Sequence, residues 1–562
     1  MLQCQRHDRV VSLAAAAPPP SRPDPQSGLR SGPQSGLQSG RAPMDAFSFP
    51  VWPEAPRGPF GYFFPAAPEM PGGADIAAAL DDLASAMADP LPAGPGEAGM
   101  PAIYACFARV IAADIAEAAG LAEAAAAPDI GRFDPLPRDR AAATLCNRHT
   151  GRLALDSLYG GVTPEAPGRI PAALVRLRTD ADSPAPPGIA GSGGQDRNGR
   201  PAGACAQPAP GRSGASPFRI VRTKVEAEIG AEIGAGADIA QARPDGDRSV
   251  AWFHLALARF HQAVMAHAVG IGGPRPETGE PAFAFARGEV RKHFQWLVVN
   301  DYLRRICLPE VLEDVLAEEA PVYRDLLMRC PGLPEGRLPL PLEFQAAALG
   351  CAETMARPGD DWLARLGSGR PLPGGLAVFP RLIDGRVPPP DRGSRGANAR
   401  PDTWFAPDLL CPGEKLPVPN ARRRRLAERR LHRGLRLNLP SGQGCVAGIA
   451  RLGVRIAPLS PAELAEGPGG AVLARAGMIE ATPLWYYLLR EAEARSGGRR
   501  LGPLGSRILA ETLVGLCVCD PESYWHHLGS DHGRWHPRDG VRPAGEPVTT
   551  VAALIRAAGM CA

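Results

Sequence analysis

Apolar residues recur at helical spacing through several long segments, whereas the alternation that marks half-buried strands is rare. Within residues 247–270, Phe253, Leu257, Phe260 and Val264 form one stripe, three or four positions apart. Comparable segments run over about 102–126, 284–320, 341–357, 420–436 and 503–518, so the expected fold class is mainly α. The helices cannot be continuous with one another. With 65 glycines and 63 prolines in 562 residues, more than a fifth of the chain disfavours helix interiors, and long irregular connections must follow. Residues 180–217 and 385–403, rich in Pro, Gly and Asp or Arg, are expected to be disordered insertions. Residues 1–44 repeat Gln-Ser-Gly at 26–28, 34–36 and 38–40 and hold too little apolar surface to order themselves. One helical domain over residues 45–562 is the expectation, with Met44 as an alternative start.

Charge and cysteine usage narrow the function classes. A net charge of +3 argues against a dedicated nucleic-acid or anionic-membrane partner, and no apolar run is long enough to cross a bilayer. The 12 cysteines are scattered without CxxC pairs, which suits free thiols in a reducing compartment. Arg6 and Arg9 followed by Val10 to Ala17 imitate a signal peptide, but Asp8 and Pro18 to Pro20 interrupt the pattern. A cytoplasmic location is expected over secretion.

Six segments carry a resemblance. They are Asn147–Gly160 (NRHTGRLALDSLYG), Trp252–His261 (WFHLALARFH), Val290–Leu303 (VRKHFQWLVVNDYL), Pro341–Phe344 (PLEF), Leu439–Gln443 (LPSGQ), and Thr482–Tyr487 (TPLWYY) with Arg500–Arg507 (RLGPLGSR). In this order, over some 400 residues, they resemble the bacterial branch of the animal-type haem peroxidases. That resemblance implies an animal haem peroxidase-like helical domain with long irregular loops. Fold does not carry activity by itself, so the site has to be read residue by residue.

Haem peroxidase chemistry needs a proximal His on the iron, a distal His that moves the peroxide proton, and an Arg that stabilises charge as the O–O bond breaks. The distal helix resembles Pro101–Ile115, and there the family's Gln falls on Arg109 and its Asp-His-Asp on Ala112, Ala113 and Asp114. The proton shuttle is therefore an alanine. Arg243, eleven residues before His254, takes the place of the distal Arg, and the Glu expected three residues on is Gly246. On the proximal side the family's Arg-Phe-Gly-His falls on Gly350-Cys351-Ala352-Glu353, and its orienting Asn on Arg430. A carboxylate is hard and anionic and does not imitate neutral imidazole. The resemblance thus implies haem, while the residues argue against its ordinary ligation. An ion pair between Glu353 and Arg430 is one expectation; two solvent-facing side chains is the other.

The resemblance also implies a calcium loop, which would draw on Thr150, the Arg152 carbonyl, position 154, Asp156 and Asp114. Position 154 is alanine, so one carboxylate is missing from a set that a hard cation wants rich in oxygen. His432, two residues from Arg430, is a candidate replacement ligand, while His254 and His261 suit core packing. His526, His527, His532 and His536 crowd a loop, in a spacing that matches no metal site closely. The sequence expectation is a catalytically degenerate homologue kept as a scaffold or binding module, with a small ligand possible in the vacated haem cavity. Its alternative is a haem-dependent peroxidase using displaced ligands.

Overall fold

A computed structural model describes residues 58–88, 100–101, 103–116, 118–119, 134–159, 248–269, 282–351, 419–467 and 469–560. The expected disordered stretches 1–44, 180–217 and 385–403 lie outside these residues. Among the described residues the chain is mainly helical. Seven helices organise it: α1 (Ala74–Ala88), α2 (Ile103–Ile115), α3 (Arg248–Val269), α4 (Ala282–Leu297), α5 (Pro419–Arg436), α6 (Leu484–Ser496) and α7 (Pro503–Val518).

The stripe on α3 does what its spacing predicts. Phe253, Leu257, Phe260 and Val264 are all buried, and they pack α3 against both α2 and α4. Phe107 of α2 is the hub, with its ring 5.2 Å from Phe253, 5.6 Å from Phe294 and 6.1 Å from Tyr302. Burying each such ring contributes about 1.5–3 kcal/mol relative to leaving it exposed. Elsewhere α1 lies along α5, and α6 along α7.

Three expected helices differ from the sequence outline. The segment expected over 102–126 stops at Ile115. The segment expected over 284–320 is broken. After α4 it widens into a π-turn at Val298–Tyr302, continues as Leu303–Ile306, and restarts at Pro309–Ala317. The break has a local cause: Leu308 precedes a proline, which pushes it to extended backbone (φ −63°, ψ 130°). The segment expected over 341–357 begins as strand at Pro341 and is interrupted by a second π-turn, Phe344–Ala348, and its residues 352–357 lie outside the described ones.

A small sheet gathers segments distant in sequence. Gly58–Gly61 (β1) runs antiparallel to Cys146–Asn147 and parallel to Leu340–Pro341, and Ala118–Ala119 pairs with Cys146–Asn147. Two buried charges pin the chain just after β1. Glu343 accepts the backbone N–H groups of Phe63 (3.1 Å) and Phe64 (3.0 Å). Arg138 donates to the carbonyls of Asn438 (2.9 Å), Pro65 (2.8 Å), Pro68 (3.1 Å) and Ala67.

Candidate functional site

The helix α2 and the loop 147–159 meet, although the chain separates them by some thirty residues. Asp114, on the last turn of α2, is fully buried. Its Oδ2 accepts the N–H of Leu155 (3.0 Å), and its Oδ1 accepts the N–H (3.2 Å) and hydroxyl (3.3 Å) of Ser157. Asp156 closes the loop from the other side: its Oδ2 accepts from the N–H (3.0 Å) and hydroxyl (2.5 Å) of Thr150. The anchored backbone holds Leu155 at φ +58°, a left-handed conformation that its side chain disfavours. Gly151, at φ +77°, has no alternative, since a β-carbon there would stand 2.2 Å from the Leu338 carbonyl oxygen.

The structure therefore brings Asp114, Thr150 and Asp156 together. Burial, then the neighbouring Asp156 charge, pushes the Asp114 carboxyl well above the usual carboxylate range. A cation would relieve that repulsion. The donor set, however, does not make a calcium cage. Thr150 gives its hydroxyl proton to Asp156, and its carbonyl accepts the N–H of Leu338 (2.9 Å). Both Asp114 oxygens hold N–H groups, and position 154 is a buried alanine. The side chain of Arg152 runs away from the loop to Asp520 and Glu522. Among the described residues, no three acidic, His or Cys side chains converge as metal ligands.

Of the residues assigned to the haem, only part is described. Arg243 and Glu353 lie outside the described residues, and the expected Glu353–Arg430 pair with them. Arg430, on α5, is partly buried and lies across Gly350: a β-carbon at 350 would stand 3.2 Å from its Cζ and Nη1. Burial disfavours the Arg430 charge, and so do Arg433 and Arg109, while Cys351 acts in its favour. Burial also pushes the Cys351 thiol up, which keeps it neutral. Arg430 of α5, Gly350 and Cys351 of the helical segment after Pro341, and Arg109 of α2 thus share one neighbourhood. Glycine at 350 makes room for the guanidinium.

That arrangement does not fit haem ligation. The guanidinium lies against Gly350, three residues before position 353, where the resemblance expects an imidazole. The described histidines engage other partners. His432, the candidate replacement, turns to α1 and meets Asp81 (2.7 Å). His254 meets the Ser157 hydroxyl (3.0 Å), and His261 that of Tyr159 (3.0 Å). Both are buried, as core packing requires. The C-terminal histidines do not converge: His526 meets the Val518 carbonyl (2.8 Å), and His536 stacks edge-on with Trp296. The contact of Arg430 with Gly350 was not legible in the sequence, because the two positions lie 80 residues apart.

No protein-family model matches the chain, and no curated protein matches it at a significant level. Among the described residues, no helix is long and apolar enough to cross a membrane.

Proposed function

We propose that the chain is a catalytically degenerate relative of the animal-type haem peroxidases, serving as a scaffold or binding module. The observation that carries this reading is the seat of Arg430 against Gly350. Two positions that the resemblance assigns to the proximal side of one haem are in contact, and the side chain between them is a guanidinium. The half-buried Ala113 at the distal position supports it, because alanine moves no proton. Loss of both proton transfer and iron ligation removes effects worth orders of magnitude in rate, and one compensation does not restore both.

The test is an absorption spectrum of the full chain expressed with haem supplied, together with peroxide-dependent dye oxidation. The expected result is no stoichiometric Soret band and no oxidation above free haem. A saturating one-to-one Soret band with dye oxidation would overturn the reading in favour of a peroxidase with displaced ligands.

A further inference from the structure

The C-terminal histidine-rich loop closes over one face of α4. Glu289, Lys292, His293 and Trp296 stand at successive helical turns, and each holds it. Glu289 Oε2 accepts the N–H of Val541 (3.2 Å), and Lys292 Nζ lies 5.3 Å above the Trp535 ring. The His293 ring meets Trp535 edge to face at 4.9 Å, and Trp296 meets His536 at 5.0 Å. Trp535 is the buried aromatic anchor at the centre, and the loop folds back on itself there, with the Trp535 N–H donating to the His527 carbonyl (2.8 Å). Its outer part is exposed, Leu528 at 72 %.

We propose that residues 526–540 form a strap over α4 that is released by protonation of His293. The imidazole is fully buried and its tautomer is set: Nδ1 donates to the Glu289 carbonyl (2.8 Å), which leaves the bare lone pair on Nε2. Among the described residues, Nε2 meets no hydrogen-bonding group. A proton there creates a buried N–H cation without an acceptor, between the rings of Phe260 and Trp535.

The charged groups around it oppose one another. On α4, Glu289 favours protonation and Lys292 disfavours it, and Glu289 is already engaged by Lys292 (2.5 Å) and by Val541. From α3 the ring meets Phe260, while the neighbouring His261 turns to Tyr159. On the strap, His527 is acted on by Lys292, Arg291 and Glu289, and His536 by Arg538, Asp539 and Asp531. Burial outweighs Glu289 and holds His293 neutral. The strap yields before the helix, because α4 is also packed on α3 and on the Phe107 aromatic hub. Release bares Trp535, Trp296 and the α4 face between them.

Hydrogen exchange of the full chain at pH 7.5 and pH 5.0, corrected for the intrinsic pH dependence of exchange, tests this. Protection of 526–540 is expected to fall at least tenfold at pH 5.0, with 284–297 unchanged. His293→Phe keeps a ring against Trp535 and removes the titration, so the difference should vanish. His293→Gln serves the same purpose if the Phe variant does not fold. The double variant His527→Gln/His536→Gln should keep the difference. Equal protection at both pH values, an unchanged loss in the His293 variants, or disappearance of the loss in the double variant would each overturn the proposal.

Discussion

Single side chains carry much of the long-range wiring. Arg138 is the clearest case, because its buried guanidinium ties four carbonyls from two distant segments. Arg138→Met leaves those carbonyls without a donor and is expected to cost about 3 kcal/mol, read as a lower urea midpoint at unchanged slope. Gly151→Ala meets both a positive φ and the Leu338 carbonyl, so a loss of about 2–4 kcal/mol is expected by the same measurement. Neither effect is visible in composition. Arg138 sits in an unremarkable RDR triplet, and Gly151 is one of 65 glycines.

The pH behaviour belongs to helix termini and helix faces. Glu491 of α6 caps the start of α7, accepting the N–H groups of Leu504 (3.0 Å) and Gly505 (3.1 Å). Burial, opposed by those N–H groups, raises its carboxyl to about 7. The folded chain therefore holds a proton that the unfolded chain releases, and stability falls as pH rises from about 4.5 to about 7, by up to about 3 kcal/mol. Glu491→Gln should flatten that fall in denaturant midpoints taken between pH 5 and pH 8; a slope equal to the native one would exclude this role. His261 acts in the opposite sense. Burial and then Arg287 lower it to about 4, so its contribution is present above pH 6.5 and lost as pH falls toward 4. The helical stripes themselves were legible, Phe253 to Val264 above all, because burial follows a 3.6-residue period. The π-turns and the break before Pro309 were less so: a π-turn depends on packing on both sides of a helix, and one proline reads as punctuation of uncertain weight.

At the level of the whole molecule, the reading as a degenerate peroxidase relative turns on how separated segments meet. If the loop 147–159 is satisfied by its own hydrogen bonds, millimolar calcium or a chelator should shift the melting temperature by less than about 1 °C; a saturable rise of several degrees would mean that Asp114 and Asp156 take a cation. Asp114 and Asp156 were named together in the sequence as oxygen donors. What they do was not legible, since hydrogen-bond partners such as the Leu155 and Ser157 N–H groups depend on the backbone path of the loop. His432 shows the same limit. Two positions from Arg430 in sequence, it faces the opposite side of α5 and meets Asp81 of α1.

By itself, the sequence determined the helical class, the positions of the apolar stripes and the residue types at each candidate site position. Those follow from local rules: periodicity, backbone propensity and the chemistry each side chain can perform. Only the tertiary structure decided that Arg430 lies against Gly350, that Asp114 spends its oxygens on backbone N–H groups, and that His293 is sealed beneath Trp535. Burial and hydrogen-bond partnership arise between elements that the chain brings together only on folding, and they set which charges survive.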